Sequence, residues 1–380
     1  MTDRHHPLFN KSNWTNGYHC KMDRETTRLH NAMTDGIARN PCPKSSLLDT
    51  QRPLPMKNFL IRRFVPAVVA VFQQSTRTSL VLFKIIIPIT ILTRLLNESG
   101  MITHIGAWLG PVMEIVGLPG SMGLVWATAM LTNLYAGAMV FASLAPGAHL
   151  TVAQVTVLTT MMLVAHSLPV ELRIAQKSGA RFRVMMPLRV LGAFTLGWML
   201  SRVYQGTGYL QTTSVTIWDK AVQQVGWGEW ALGQARNLVF IYLIITFLIM
   251  VMKLMDELRI TAFLTRILEP GLRLLGMSRE VAPSTIIGMV MGIGYGGGLL
   301  IQEAQSGRLT PQDIFFSFTV LGLFHSIIED TLLMVLLGGH LSGIIWGRMV
   351  FTLTLVFILV RVLKRLPPEL FNRYFFRQPV

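Results

Sequence analysis

Two short stretches of this sequence each combine a histidine, a serine and a carboxylate within apolar surroundings. The first is His166-Ser-Leu-Pro-Val-Glu171 and the second is His325-Ser-Ile-Ile-Glu-Asp330. These side chains can donate and accept hydrogen bonds, and a carboxylate can also hold a cation. Ionisable groups are costly at membrane depth, and those found there usually face a protein interior or a water-filled cavity. Both stretches are therefore candidates for contact with a ligand.

The two histidines lie 159 residues apart, and the same spacing relates many other positions without a gap. One unit of about a hundred residues is therefore used twice, which is the signature of an internal repeat. The matched pairs are Pro111 and Pro270, Gly117 and Gly276, Gly137 and Gly296, Leu150-Thr151 and Leu309-Thr310, Glu171 and Asp330, Arg189 and Arg348, and Arg202 and Arg361.

The composition predicts an all-α, polytopic membrane protein. Of 380 residues, 51% are hydrophobic and only 14% are charged, whereas a soluble domain carries roughly a quarter charged residues. The formal charge of +15 does not indicate nucleic acid as a partner, because no nucleic-acid-binding motif is present. The basic residues lie between apolar runs and in the C-terminal tail, as cytoplasmic loops would place them. The expected partner of the chain is therefore a lipid bilayer.

Changes in composition divide the chain into six parts. The first is polar and holds both cysteines; we predict that it is a disordered extension, with Met56 as an alternative start. A small metal-binding tail is the other interpretation, although no CxxC or HxxxH spacing supports it; its ligands would be His5, His6, His19, Cys20, His30 and Cys42. The predicted parts are a disordered extension (1–56), an interfacial amphipathic helix (57–78), repeat 1 (79–204), an external linker (205–237), repeat 2 (238–363) and a basic cytoplasmic tail (364–380).

Within each repeat, the apolar runs predict three spans, one interfacial helix and one re-entrant hairpin. A run of about 20 apolar residues is long enough to cross the hydrocarbon core. The predicted spans are 79–97, 121–144 and 184–204 in repeat 1, and 238–254, 281–300 and 344–363 in repeat 2. The predicted interfacial helices are 101–117 and 260–276, and the predicted hairpins are 151–178 and 311–340.

The charges of two equivalent loops indicate that the repeats are inverted. The loop 172–183 holds four basic residues, whereas its partner 331–342 holds no lysine or arginine. Loops with opposite charge bias are expected on opposite sides of the membrane. Equivalent loops lie on opposite sides when each repeat crosses the membrane an odd number of times, which inverts the second repeat. The alternative is a parallel repeat with four crossings in each half.

Two hairpin tips meeting near the midplane would form a cavity lined by irregular backbone. Glu329 and Asp330 share one tip, which suits a proton or a cation. In the structural interpretation, which can hold at the same time, each acid pairs with the arginine of its own repeat, Arg189 or Arg348. We predict no catalytic residue, cofactor or metal ligand, since no HExxH motif, Walker loop or catalytic triad is present. The predicted substrate-binding residues are Asn133, His166, Ser167, Glu171, Gly294, His325, Ser326, Glu329 and Asp330.

The repeated pattern resembles a known family of membrane domains. Residues 109–203 and 268–362 share the order Pro-x5-Gly, (Asn/Gly)-x-(Tyr/Gly)-x-Gly, Leu-Thr and His-Ser followed by an acid. This order is similar to the nucleoside-recognition or gate domain, which also occurs in ferrous-iron transporters, spore maturation membrane proteins and, more distantly, concentrative nucleoside transporters.

The resemblance implies a multi-pass protein of the bacterial inner membrane that moves a small polar solute, nucleoside-like, or an ion. The alternatives are a non-transporting component of a membrane complex, as in spore maturation proteins, and a divalent-metal permease. The implied partners are a second copy of the chain or a second gate-domain protein, and the protein is not expected to be an enzyme.

Overall fold

A computed structural model describes residues 56–214 and 226–377. The predicted disordered extension therefore lies outside the described residues, apart from Met56. The regular elements of the described ranges are helices, and two isolated β-bridges join them. In repeat 1 these are α1 (Met56–Glu98), α2 (Met101–Ile115), α3 (Met122–Leu131), α4 (Leu134–Leu144), α5 (Val152–Val164), α6 (Leu168–Lys177) and α7 (Phe182–Thr207).

Repeat 2 follows the same order of elements. It contains α8 (Trp227–Glu257), α9 (Ile260–Leu274), α10 (Ala282–Met291), α11 (Ile293–Gln305), α12 (Pro311–Leu323), α13 (Glu329–Leu336) and α14 (Arg348–Leu363), the last preceded by a π-helical turn, Ser342–Gly347. A short helix, α15 (Pro368–Tyr374), follows the second repeat.

Five helices in the described part of the chain are long and apolar enough to cross a membrane, namely Val68–Glu98, Val152–Lys177, Phe182–Thr207, Trp227–Met255 and Ser342–Leu363. Helices α2 and α9 have 15 residues each, fewer than the roughly 20 that a span requires. The protein is an all-α polytopic membrane protein, as its composition predicts.

The segment 151–178 is a broken span and not the predicted re-entrant hairpin. Its first residues bond to the chain just beyond the end of α7, since Val152 N–H donates to Thr212 O and Ala153 N–H to Leu210 O. Its last residues lead directly into the start of α7 at Phe182. Helix α7 has 26 residues and is about 39 Å long. Helices α5 and α6 therefore cover this whole length together.

The segment 311–340 is also a broken helix that does not fold back on itself, so the second predicted hairpin is not observed there either. Near its start, Asp313 accepts a hydrogen bond from Ser278 N–H. Gly276, two residues before Ser278, accepts a hydrogen bond from Lys364 at the end of α14, so the start of α12 lies near the end of α14. The end of the segment leads into the π-helical turn that begins α14. The pair α12 and α13 therefore runs the length of α14.

The true hairpins are α3–α4 and α10–α11, which occupy the predicted spans 121–144 and 281–300. A Cβ on Gly296 would lie 2.2 Å from the Cα of Gly288, and Ser284 donates to Glu303 at 2.7 Å. These contacts require the arms of α10–α11 to lie antiparallel and close together. Similarly, a Cβ on Gly137 would lie 2.8 Å from that of Ala129. Small residues permit this close approach, whereas the length of the apolar runs alone suggests single spans.

The two broken helices run in opposite directions through the protein. Thr156, near the start of α5, accepts a hydrogen bond from His340 N–H, just beyond the end of α13. Near the other end, Ala180 forms a bridge with Phe376, while Phe315 of α12 packs against the neighbouring Phe375 with ring centroids 5.4 Å apart. Equivalent helices that run antiparallel fit the inverted arrangement and three crossings per repeat.

Two predicted boundaries differ from the observed helices, and the predicted tail is partly helical. Helix α1 continues through residues 78 and 79, where the interfacial helix was expected to give way to the first span. Helix α8 begins at Trp227, inside the predicted linker, of which residues 215–225 lie outside the described ranges. The basic tail contains α15, and Arg377 N–H donates to Gly179 O at 2.7 Å, so the tail packs on the loop between α6 and α7.

Candidate functional site

Each His-Ser stretch breaks its helix with the same backbone geometry. The helix ends before Ala165 in one case and Phe324 in the other. Ser167 and Ser326 then have φ angles of 48° and 46°. A left-handed conformation in a non-glycine residue costs of order 1–3 kcal/mol and persists only where the surroundings fix it. The matching geometry supports the internal repeat and places irregular backbone in the middle of two spans.

The tips of the two hairpins hold these breaks in place. Ser167 N–H donates to Ala129 O at 3.0 Å, and Ile327 N–H donates to Met289 O at 2.9 Å. Both acceptors lie near the end of the first arm of a hairpin. Because the hairpins satisfy backbone groups freed by the breaks, two broken helices and two hairpins meet at one place, which is the type of site where transporters bind their substrates.

His166 and His325 face each other at this junction, with ring centroids 5.0 Å apart. Their Nδ1 atoms lie within hydrogen-bonding distance of the Met162 and Leu321 carbonyls, four residues earlier in each helix. Since a carbonyl can only accept, each Nδ1 carries the hydrogen and donates it. The Nε2 atoms of both rings therefore point toward the carboxylates. Both side chains are buried.

Glu171 lies between the two imidazole rings. Its Oε1 atom is 3.3 Å from Nε2 of His166 and 3.4 Å from Nε2 of His325. Its Oε2 atom accepts a hydrogen bond from Arg189, whose Nε also donates to Val164 O at 3.0 Å. The expected ion pair between Glu171 and Arg189 is therefore present. It leaves one carboxylate oxygen directed at the histidines.

Asp330 joins the group from the other broken helix, with Oδ2 3.7 Å from Nε2 of His166. We call His166, Glu171, His325 and Asp330 the central cluster. The predicted partners Asp330 and Arg348 do not reach ion-pair distance in the described structure, although their charges still interact. Arg348 instead donates to His325 O at 3.3 Å and lies over the Phe324 ring at 4.7 Å. Its Nε and NH1 atoms have no hydrogen-bond partner within the described ranges, although the residue is fully buried.

Glu329 lies beside the central cluster and contacts the first hairpin. Its Oε1 atom accepts a hydrogen bond from the hydroxyl of Tyr135 at 3.2 Å. At the equivalent positions of the other repeat, the sequence has Val170 and Gly294. This bond therefore has no counterpart across the repeat. Tyr135 was not among the predicted site residues.

Of the remaining predicted residues, Asn133 supports the backbone of the junction and Gly294 does not. Asn133 accepts a hydrogen bond from Ala136 N–H at 2.9 Å and so begins α4 after the hairpin turn. Gly294 is exposed, and a Cβ added there would meet nothing within 4 Å. The glycine at the tip is Gly292, whose φ is 96° and whose Cβ would meet Ser326 Oγ at 2.9 Å.

The helix ends also favour negative charge at the junction. Glu171 lies in the first turn of α6, and Glu329 and Asp330 lie in the first turn of α13. The N-terminal end of a helix carries partial positive charge, which stabilises carboxylates there. His166, His325 and Asp330 each offer one ligand atom, and these atoms lie within 4.8 Å of one another. The cluster can thus exchange hydrogen bonds with a polar ligand or surround a cation.

Comparison with known proteins supports the membrane assignment alone. The chain is 26% identical over 318 residues to the uncharacterized membrane protein YvoD of Bacillus subtilis (strain 168), an alignment that covers 80% of this chain and 96% of that protein. No protein family model matches the chain. No solved structure matches it either.

Proposed function

We propose that this chain is a multi-pass transporter of the bacterial inner membrane that moves a small polar solute, nucleoside-like, or a cation. The observation that carries the proposal is the central cluster itself. His166, His325 and Glu171 lie buried, and Asp330 lies partly buried, where two broken helices meet two hairpin tips. Groups of this kind are costly inside a membrane and mark the pathways of transported substrates.

The arrangement of elements supports alternating access to this site. In transporters built from inverted repeats, one bundle moves against the other around a central binding site. Here a backbone hydrogen bond from Ser167 or Ile327 joins each hairpin to a break in a helix, and the hydrogen bond from Tyr135 to Glu329 adds a side-chain contact to the first hairpin. A movement of either hairpin would expose the central cluster from one side. The described structure, with the cluster buried, corresponds to a closed state.

The test is uptake into proteoliposomes that contain the purified full chain. The panel comprises labelled nucleosides, nucleobases, Na⁺ and divalent metals. We expect uptake of one class and its loss in Asp330→Asn. The matched control is Glu269→Gln, which removes an exposed ion pair on α9 far along the chain from the cluster. If uptake by Asp330→Asn equals that of the wild type, the central cluster is not the site through which the substrate passes.

Absence of uptake across the panel, with a second membrane protein co-purifying, would favour the alternative of a non-transporting component. Assigning the cluster to transport would then be wrong. The same preparation also allows a screen of thermal stability with each compound, since a ligand that binds only the folded state raises the melting temperature.

A further inference from the structure

The two histidines of the central cluster face Glu171 with their Nε2 atoms, which in a neutral ring are hydrogen-bond acceptors like the carboxylate oxygen itself. Each Nδ1–H is used by the carbonyl of Met162 or Leu321, so a neutral ring has only a lone pair on Nε2. Both lone pairs face Oε1 of Glu171, at 3.3 and 3.4 Å. Because a carboxylate also only accepts, each of these contacts is repulsive unless a proton or a cation lies between its two atoms.

Two protonated imidazoles would supply that charge at a high cost. Their ring centroids are 5.0 Å apart in a buried place, and the fully buried guanidinium groups of Arg189 and Arg348 lie nearby. Like charges at this distance with little water disfavour one another. One divalent cation bound by both Nε2 atoms replaces both protons, and it also accounts for the direction in which the two rings point.

The surroundings of the rings match those of metal-binding histidines. Such a histidine usually donates its other ring N–H to a carboxylate, a water or a backbone carbonyl, which fixes the ring and its tautomer. Both His166 and His325 do so with the carbonyl four residues earlier. The repeat has therefore produced two equivalent, preoriented nitrogen ligands from distant parts of the chain.

Several separations between candidate ligand atoms fit a metal, and the ligand atoms of His166, His325 and Asp330 lie within 4.8 Å of one another, so they would move closer together on binding an ion. Zinc binds nitrogen and oxygen ligands at about 2.0–2.2 Å in a tetrahedron, so its ligand atoms lie about 3.3–3.6 Å apart. The observed separations are 3.3 Å for His166 and Glu171, 3.4 Å for His325 and Glu171, and 3.7 Å for His166 and Asp330. Arg189 occupies Oε2 of Glu171, which leaves Oε1 free to bind.

We propose that His166, His325 and Asp330 bind one divalent first-row transition-metal ion, with Glu171 as a further ligand, and that this ion is the cargo. The inference rests on the proposed function and names its substrate class. Two imidazoles with carboxylates suit Zn²⁺ or Fe²⁺, whereas Mg²⁺ and Ca²⁺ prefer oxygen ligands alone and Cu⁺ prefers sulfur. The predicted absence of metal ligands rested on local motifs, which cannot reveal residues so far apart in sequence.

Metal binding is tested on the purified full chain, which is produced without a polyhistidine tag. Zn²⁺ and Co²⁺ are titrated by calorimetry and by the visible absorption of Co²⁺, and the bound metal is counted per chain. We expect a site whose affinity falls at least about tenfold in Asp330→Asn and in His325→Gln. His104→Asn, on the exposed surface of α2, is the matched control and should bind as the wild type does. Histidines and cysteines of residues 1–55 are common to all variants and cancel in the comparison.

The outcomes separate this inference from the proposed function. Equal metal affinity in all variants, or no binding, overturns the metal site, while uptake of another solute that depends on Asp330 leaves the transport proposal intact. Binding at the cluster without uptake of Zn²⁺ or Fe²⁺ overturns the assignment of the metal as cargo. If both variants fail to fold, X-ray absorption of the metal-loaded wild type decides: two imidazole nitrogens support the site, and fewer than two refute it.

Discussion

Arg189 and Glu171 form a buried ion pair within one repeat that their equivalents Arg348 and Asp330 do not form. The packing around the two arginines also differs. Arg189 packs against Gly322 of α12, where a Cβ would lie 3.2 Å from its side chain, and Leu163 is the equivalent of this glycine in the other repeat. The two halves therefore share a fold but differ in how each acid is compensated.

This difference predicts unequal effects on stability. Glu171→Gln leaves the Arg189 charge buried without its counter-ion, which costs about 3–5 kcal/mol. Asp330→Asn removes a carboxylate that lies beyond ion-pair distance of Arg348 but still interacts with it electrostatically, so we expect a smaller loss than in Glu171→Gln. Unfolding of both variants and the wild type in one detergent, without added metal, measures the difference. Equal losses would show that the two acids are compensated alike.

The close packing of the second hairpin gives a separate prediction. Gly296→Ala would place a methyl group 2.2 Å from the Cα of Gly288, so the arms must separate, at a cost of about 1–3 kcal/mol. Gly298→Ala, two residues later, meets nothing within 4 Å and should be neutral or gain up to about 1 kcal/mol. Thermal unfolding of the two variants checks this. A neutral Gly296→Ala would mean that the arms of α10–α11 do not pack as described.

The inverted arrangement predicts accessibility from opposite sides. Lys177 and Leu341 are exposed residues near the ends of equivalent broken helices. Cysteines at these positions, with Cys20 and Cys42 replaced, should react with a membrane-impermeant reagent from the cytoplasmic and the external side, respectively. Gly179 is less suitable, because its φ is 107° and a Cβ would meet Phe376 at 2.4 Å. Labelling of both cysteines from one side would support the parallel arrangement.

The sequence predicts the fold class, the internal repeat and the histidines and acids that meet at its centre, because the 159-residue spacing and the apolar composition are visible without structure. It does not distinguish the hairpins from the broken spans, because both are apolar runs of similar length. The available signals are weak. Asn133 acts as a helix N-cap inside an apparent span, and Gly292 adopts a φ of 96°; both mark the turns of the true hairpins.

The contacts between the repeats could not be predicted either. The separation of His166 and His325 depends on how two antiparallel helices cross, which local patterns do not encode. Tyr135 was missed for a related reason. Its signals are a polar hydroxyl within an apolar run and its place in the repeated (Asn/Gly)-x-(Tyr/Gly)-x-Gly order, neither of which identifies the partner, Glu329, 194 residues away.

The hydrogen bond between Tyr135 and Glu329 yields the last prediction. It links the tip of α3–α4 to the start of α13 at 3.2 Å, and the other hairpin has Gly294 in the equivalent position, with no side chain to make such a bond. Tyr135→Phe should therefore cost about 1.5–3 kcal/mol, as expected for a hydrogen bond to a charged group. Tyr295→Phe, at an exposed tyrosine of the second hairpin, is the control and should change stability by less than about 0.5 kcal/mol.

A double-mutant cycle with Glu329→Gln separates the bond itself from other effects of each substitution. Residues in direct contact show coupling of about 0.5–3 kcal/mol, whereas independent sites add. We expect coupling between Tyr135→Phe and Glu329→Gln, and none between Tyr295→Phe and Glu329→Gln. If the bond also holds the first hairpin closed over the central cluster, Tyr135→Phe should speed the reaction of an impermeant reagent with a cysteine at Asn133. Additive energies with unchanged labelling would show that Tyr135 does not tether the hairpin.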